Sequence, residues 1–216
     1  MTNTRRFIIA GEGVALTLVS LSLSLLFYAI GYYKVGFLFG LFTAFNLFFF
    51  RNPKRYAPAG NNVVAPADGE VILIKEVFED RFLKKDATKI SIFMSIFNVH
   101  VNRAPVSGEV VDVLHEEGRF FSANLDKATE DNEKNYVLIK SEAGFPVLVV
   151  QVAGLIARRI VCDVGKGDIV NKGEPYGLIC YGSRLDIYLP KEIEVKIAVK
   201  DKTRAGETII GEFKND

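Results

Sequence analysis

Residues 14–33 (VALTLVSLSLSLLFYAIGYY) and 35–50 (VGFLFGLFTAFNLFFF) form two uncharged apolar runs separated by Lys34. The first is long enough to cross a hydrocarbon core as a helix, which takes about 20 apolar residues, and the second is marginal. A cleaved signal peptide has one apolar stretch of about 7–15 residues before a small-residue site, so this longer double run is expected to stay on the chain. Arg5 and Arg6 precede the pair, and Arg51, Lys54 and Arg55 follow it. That basic bias predicts a helical hairpin over residues 1–50 with both ends on the cytoplasmic side of the cell (inner) membrane. A hairpin dipping into one leaflet and a buried hairpin of a soluble fold are the alternatives. The second is disfavoured, because nothing later in the chain offers enough apolar surface to cover it.

After residue 51 the pattern changes. RNPKRYAPAGNN is basic and carries Pro and Gly, which predicts a linker over residues 51–60. Residues 61–216 then read as short β-branched runs, among them VVAPADGEVILIKEVF, TKISIFMSIFNVHVNRAPVSGEVV, YVLIKSEAGFPVLVVQVAG and EIEVKIAVK, split by Gly, Pro, Asn and Asp. Helical periodicity is suggested only around residues 122–133, so the body is predicted to be mainly β. VGKGDIVNKGEPYGLI resembles the paired hairpins of barrel-sandwich folds such as lipoyl and biotinyl domains, although such turns are also simply good strand starters.

Composition narrows the function. Of 27 basic and 26 acidic residues, only Arg5, Arg6, Lys34 and Glu12 fall within residues 1–50. The body is therefore near neutral, and the basic surplus of a nucleic-acid binder is missing. Two cysteines, Cys162 and Cys180, do not make a disulfide framework, and with only His100 and His115 beside them a Cys/His metal cluster is not expected.

Polar residues that interrupt apolar strands are informative, because burying one costs free energy unless it is paired or used. Asp68 lies in the turn PADGE, where a common Asp-Gly β-turn is the plain reading. His100 lies in SIFNVHVNRAP on the same strand face as Asn98 and Asn102. Gly182 and Ser183 stand between GLICY and LDIYL, where a tight turn is the plain reading. A glycine before a serine also has chemical meaning, since Gly182 permits dihedrals that bring its carbonyl to the Ser183 hydroxyl. A hydroxyl activated by a base can attack that carbonyl. Spacing alone leaves a serine hydrolase open, although the G-x-S-x-G elbow is absent.

Six segments are familiar together: FFFRNPKR, APADGEV, FMSIFNVHVNRAPVSG, the NEKN stretch, QVAGLIARRIVC and VGKGDIVNKGEPYGLICYGSRLDIYLP. In this order they resemble the short, bacterial and archaeal type of phosphatidylserine decarboxylase proenzyme. The resemblance implies a self-processing enzyme in which Ser183 attacks the carbonyl of Gly182. The ester then eliminates, and the new terminus becomes a pyruvoyl group. The chain would be split into residues 1–182 (β) and 183–216 (α), with the pyruvoyl group as covalent cofactor and neither metal nor pyridoxal phosphate required. The pyruvoyl carbonyl forms a Schiff base with the substrate amine and takes up the electron pair that decarboxylation leaves. His100 and Asp68 match the family's histidine and D-G aspartate, which implies a Ser, His, Asp relay. One departure stands out: longer members carry a second histidine near the motif's proline and an L-G-S-T cleavage sequence. Here Arg103 precedes Ala104 and Pro105, and the sequence is Y-G-S-R, so His100 is expected to serve maturation, turnover or both. Arg158, Arg159 and Arg103 are candidates for holding the phosphodiester.

The implied substrate is phosphatidylserine, with archaetidylserine as a same-chemistry alternative. The implied partners are the membrane and the two fragments of one precursor, with no nucleic acid; assembly into a homo-oligomer is left open. A non-catalytic membrane-anchored barrel-sandwich module and a membrane-bound serine hydrolase are the alternatives of another class.

Overall fold

The computed structural model describes residues 9–118, 132–154, 159–180 and 182–214. The residues 122–131, on which most of the suggested helical periodicity falls, lie outside the described residues. The chain divides into two compact units, Met1–Lys54 and Arg55–Asp216.

The first unit is the helical hairpin that the apolar runs predict. Helix α1 spans Gly11–Ala29 and α2 spans Tyr33–Phe49. At 1.5 Å per residue they are about 28 and 25 Å long. Gly31, at φ +83°, supplies the left-handed residue that ends α1, within the GYYK turn between the two runs. The pair is built inside out: Thr17, Ser20, Ser24, Thr43 and Asn46 are buried between the helices, while Leu18, Val19, Leu25, Phe37, Leu38 and Leu41 face outward. Thr43 Oγ1 lies 2.9 Å from Ser20 Oγ, and Ser24 Oγ donates to the Gly36 carbonyl at 2.8 Å. Water would favour the reverse arrangement. Helices in lipid pack through small and polar residues in this way. By length and composition α1 can cross a membrane, whereas α2, with 17 residues, is shorter than that measure requires.

The second unit contains no helix among its described residues, as the period-two pattern predicts. Its strands are β1 (Asn62–Val64), β2 (Gly69–Glu79), β3 (Lys85–Met94), β4 (Val101–Arg103), β5 (Gly108–Glu116), β6 (Lys134–Ser141) and β7 (Pro146–Val152). They continue with β8 (Ile160–Cys162), β9 (Ile169–Val170), β10 (Pro175–Ile179), β11 (Ser183–Pro190), β12 (Ile193–Val195), β13 (Lys202–Thr203) and β14 (Ile209–Phe213). Eight form one curled sheet in the order β13-β2-β3-β11-β7-β6-β5-β9, and two three-stranded sheets, β1-β14-β12 and β4-β10-β8, complete the unit. Strand β11 is central, antiparallel to β3 on one side and β7 on the other.

Alternation along β11 sorts its side chains onto two faces. Leu185, Ile187 and Leu189 are fully buried in the main core with Ile90, Ile92, Val147 and Val149. Arg184, Asp186 and Tyr188 take the other face, where Leu148, Val150 and Val152 pack beneath Phe82 and Leu83. Ser183 shares the core face at the head of the strand.

Candidate active site

Ser183 opens β11 opposite Met94, the last residue of β3. Its side chain is fully buried, and its Oγ has no hydrogen-bond partner among the described residues. An unpaired buried hydroxyl is costly and therefore calls for an explanation. Gly182, immediately before it, has φ +67°, a conformation other residues rarely adopt.

His100 comes to the same end of the sheet through two links. The chain runs from Met94 through a tight turn to His100, and the His100 carbonyl accepts from Ile179 N at 3.4 Å, four residues before Ser183. The imidazole is buried, and its Nδ1 lies 3.0 Å from the Asn98 carbonyl. A carbonyl can only accept, so Nδ1 carries the proton and Nε2 is the basic nitrogen.

Asp68 does not hydrogen-bond to His100. One carboxylate oxygen accepts from Arg55 at 2.8 Å and the other from the Ala205 amide at 2.7 Å. The Asn98 carbonyl is one contact of the imidazole, and Asp68 belongs to a separate buried cluster. In that cluster Arg55 also bridges to Glu207 at 2.9 Å, and the Arg103 guanidinium donates to the Gly173 carbonyl at 2.8 Å. Burial pushes the Asp68 carboxyl up, against the Ala205 amide and Arg55, which pull it down. Burial, with Arg55 nearby, brings Arg103 down to about 10. Arg103 is only 5% exposed, which sets it among these charges rather than at an open surface. Arg159 is exposed, and its carbonyl accepts from the Cys180 amide at 3.1 Å. Arg158 lies outside the described residues.

Sequence reasoning missed three groups. The first is a buried amide chain on the core face beside Ser183. Asn135 Nδ2 donates to Gln151 at 2.9 Å, Gln151 Nε2 donates to Asn102 at 2.8 Å, and Asn102 Nδ2 reaches Met94 Sδ at 3.7 Å. Its signal was Gln151 interrupting the apolar run PVLVVQV. The second is Arg55, absorbed into the basic linker by its neighbours. The third is a charge cluster on the opposite face: Arg184 makes a two-point contact with Asp186 at 2.9 and 3.1 Å, and Lys89 joins at 2.9 Å. Among the described residues, no group of three or more His, Cys, Asp and Glu side chains could hold a metal ion.

The family described as phosphatidylserine decarboxylase matches residues 42–211, a stretch that includes every element of this site. The chain belongs to the phosphatidylserine decarboxylase family. It is 49% identical over 172 residues to the phosphatidylserine decarboxylase proenzyme of Syntrophus aciditrophicus, covering 79% of this chain and 81% of that protein. It is 56% identical over 170 residues to the proenzyme of Geobacter sulfurreducens (78% of each) and 53% identical over 174 to that of Geobacter metallireducens (80% and 79%). Membership makes the chain an enzyme of the carboxy-lyase class.

Proposed function

We propose that this protein is a self-cleaving phosphatidylserine decarboxylase that converts phosphatidylserine to phosphatidylethanolamine and carbon dioxide. The observation that carries the reading is Ser183: a fully buried hydroxyl without a described partner, at the head of the central strand, directly after a glycine at φ +67°. In the proposed maturation, His100 Nε2 takes the hydroxyl proton while Ser183 Oγ attacks the Gly182 carbonyl carbon, then passes that proton to the Ser183 nitrogen as the C–N bond breaks, so that the peptide bond gives way to an ester and a free amine. Loss of the Ser183 α-hydrogen expels the Gly182 carboxylate and leaves dehydroalanine at the new terminus, which water converts to pyruvoyl with release of ammonia. The pyruvoyl group supplies the electron-accepting carbonyl that an ordinary side chain lacks.

The residues present fit that group. Ser183 pairs with Met94 on β3, and the next residue, Arg184, is held on both edges of β11, by Phe93 and by Val152, so the new terminus would stay close to where the hydroxyl was. In this reading His100 then returns a proton to the substrate's α carbon. Asp68 acts at a distance: with Arg55 and Arg103 it fixes the PADG turn at the start of β2. Arg159, exposed beside the strand that leads to Ser183, is the proposed contact for the phosphodiester. The inside-out hairpin supports a membrane-held enzyme, with both chain ends on the cytoplasmic side, whose substrate keeps its acyl chains in the bilayer. Archaetidylserine presents the same phosphoserine and is the alternative substrate.

The test is direct. The wild-type chain should run as two fragments under denaturing conditions, the smaller blocked by a carbonyl, and release carbon dioxide from phosphatidylserine. Ser183→Ala should remain whole. A Ser183→Ala chain that still splits at this bond would sink the proposal.

A further inference from the structure

The buried amide chain ends in a donor that is barely used. Gln151 Nε2 donates to the Val161 carbonyl at 3.3 Å as well as to Asn102 at 2.8 Å, and Gln151 Oε1 accepts from Asn135 at 2.9 Å. A carbonyl only accepts, so the Gln151 amide cannot be turned round, and Asn102 must offer it an oxygen. The Asn102 nitrogen is thereby aimed the other way, at Met94 Sδ, 3.7 Å off. Asn102 is fully buried, and a thioether is a weak acceptor. Among the described residues this sulfur is the one hydrogen-bond partner of the Asn102 nitrogen.

Met94 is also the residue opposite Ser183, and it belongs to the main core. Side chains directly opposite on antiparallel strands stand about 5 Å apart at Cβ. One unbranched, adaptable side chain therefore separates the under-used donor from a hydroxyl that has no partner among the described residues. Leaving either group so poorly paired in the interior is costly. Pairing them would satisfy both, yet the fold keeps the thioether between them, which leaves the Ser183 oxygen free to attack.

The need for a donor arises one step later in the self-cleavage proposed above, once the Gly182 acyl group sits on Ser183 Oγ as an ester. His100 Nε2, having given its proton to the amine, takes the Ser183 α-hydrogen. The electron pair of that C–H bond becomes the second Cα–Cβ bond, the Cβ–Oγ bond breaks, and its pair leaves with the Gly182 carboxylate. Negative charge thus develops on the oxygen that was Ser183 Oγ, on the core face of the sheet. Charge forming in an apolar interior is stabilised most by a donor already fixed beside it.

We propose that Asn102 is that donor: its side-chain N–H, held on Met94 Sδ in the uncleaved chain, passes to the former Ser183 Oγ and stabilises the leaving Gly182 carboxylate. Met94 gives way by changing rotamer, and Gln151, itself held by Asn135 and Val161, keeps the Asn102 amide facing the site. The proposal rests on the reading of Ser183 as the self-cleaving nucleophile.

Asn102→Leu removes the donor at similar volume. Asn102→Asp keeps the oxygen that Gln151 needs and sets a carboxylate where the leaving one forms. Leu148→Ala is the control, since Leu148 is buried on the opposite face of the same sheet and its truncation weakens packing away from Ser183. Each full-length chain is pulse-labelled with phospholipid vesicles present and chased. It is quenched in acid, so that the protonated amine cannot take the acyl group back, and treated with hydroxylamine, which cuts an ester and spares a peptide bond. In the Asn102 variants the split at 182–183 should slow at least about tenfold, and the share of unsplit chain that hydroxylamine cuts should rise at least about threefold over wild type. Leu148→Ala should show no such rise. Ester build-up in either Asn102 variant carries the proposal. Slow splitting without ester in both, an equal rise in Leu148→Ala, or splitting at wild-type speed in both overturns it and leaves the self-cleavage intact. A wild-type chain that never splits overturns the self-cleavage reading, and this proposal with it.

Discussion

Asp68 and Arg55 each carry a charge that is nearly out of water, with side-chain exposures of 11% and 10%. Burial is the largest influence on Asp68 and pushes its carboxyl up; Arg55 is one of the groups that pull it back. A carboxyl whose pKa is higher folded than unfolded adds stability while protonated, below its unfolded value, and loses that contribution as pH rises through the folded value. Arg55→Gln removes the opposing cation, so Asp68 is pushed further up and its ionisation costs more at neutral pH. Breaking such a pair costs about 3–5 kcal/mol, which for a unit of this size is a fall of about 10 °C in Tm. We expect that fall at pH 7.5 and a clearly smaller one at pH 4.5, where the lone carboxyl can hold a proton. Thermal unfolding at the two pH values checks it, and an equal fall at both would show that Arg55 acts by packing alone.

At the scale of the element, β11 carries the site on one face and a charge cluster on the other. Asp186 is 1% exposed and holds both Arg184 and Lys89, so Asp186→Asn leaves two buried cations facing each other. The expected loss is about 3 kcal/mol by denaturant titration. Because Arg184 follows Ser183, the proposed split at 182–183 should also slow, readable as uncleaved chain in a pulse-chase; unchanged stability and splitting would refute this. How much of this was legible depended on the range of the interaction. The hairpin was, since an uncharged run of membrane length is a local signal, and so was the β body, from period-two runs and turn residues. Gly182 does lie just before a strand, as its turn chemistry suggests, but Ser183 is already the first residue of that strand. The Asn135–Gln151–Asn102 chain was not legible, since Asn102 and Gln151 stand 49 positions apart and only the sheet brings them together. Arg55 was hidden for the same reason: one of its two acidic partners, Glu207, is 152 residues away.

For the whole molecule, the decisive feature is how residues 183–216 are threaded. The proposed cut before Ser183 would leave as a separate chain the segment that supplies β11 to the middle of the eight-stranded sheet, β13 to its edge beside β2, and β14 between β1 and β12. Register is continuous along β11, from Ser183 opposite Met94 to Pro190 opposite Ala87 on β3, and from Arg184 to Tyr188 on β7. Releasing the segment would strip Leu185, Ile187 and Leu189 from the core and leave β3 and β7 with open edges. Burying those three side chains is worth about 1.5–3 kcal/mol each, before any backbone bond is counted. The split should therefore change the covalent chain without changing the fold. We expect the matured protein, in mild detergent, to elute as one species containing both fragments, and to unfold in a single transition within a few degrees of the uncleaved Ser183→Ala chain. Size-exclusion chromatography followed by denaturing electrophoresis, with thermal unfolding alongside, measures both. Recovery of residues 1–182 free of the smaller fragment under native conditions would mean that the threading does not hold the halves together, and that the cut opens the sheet on which the active site depends.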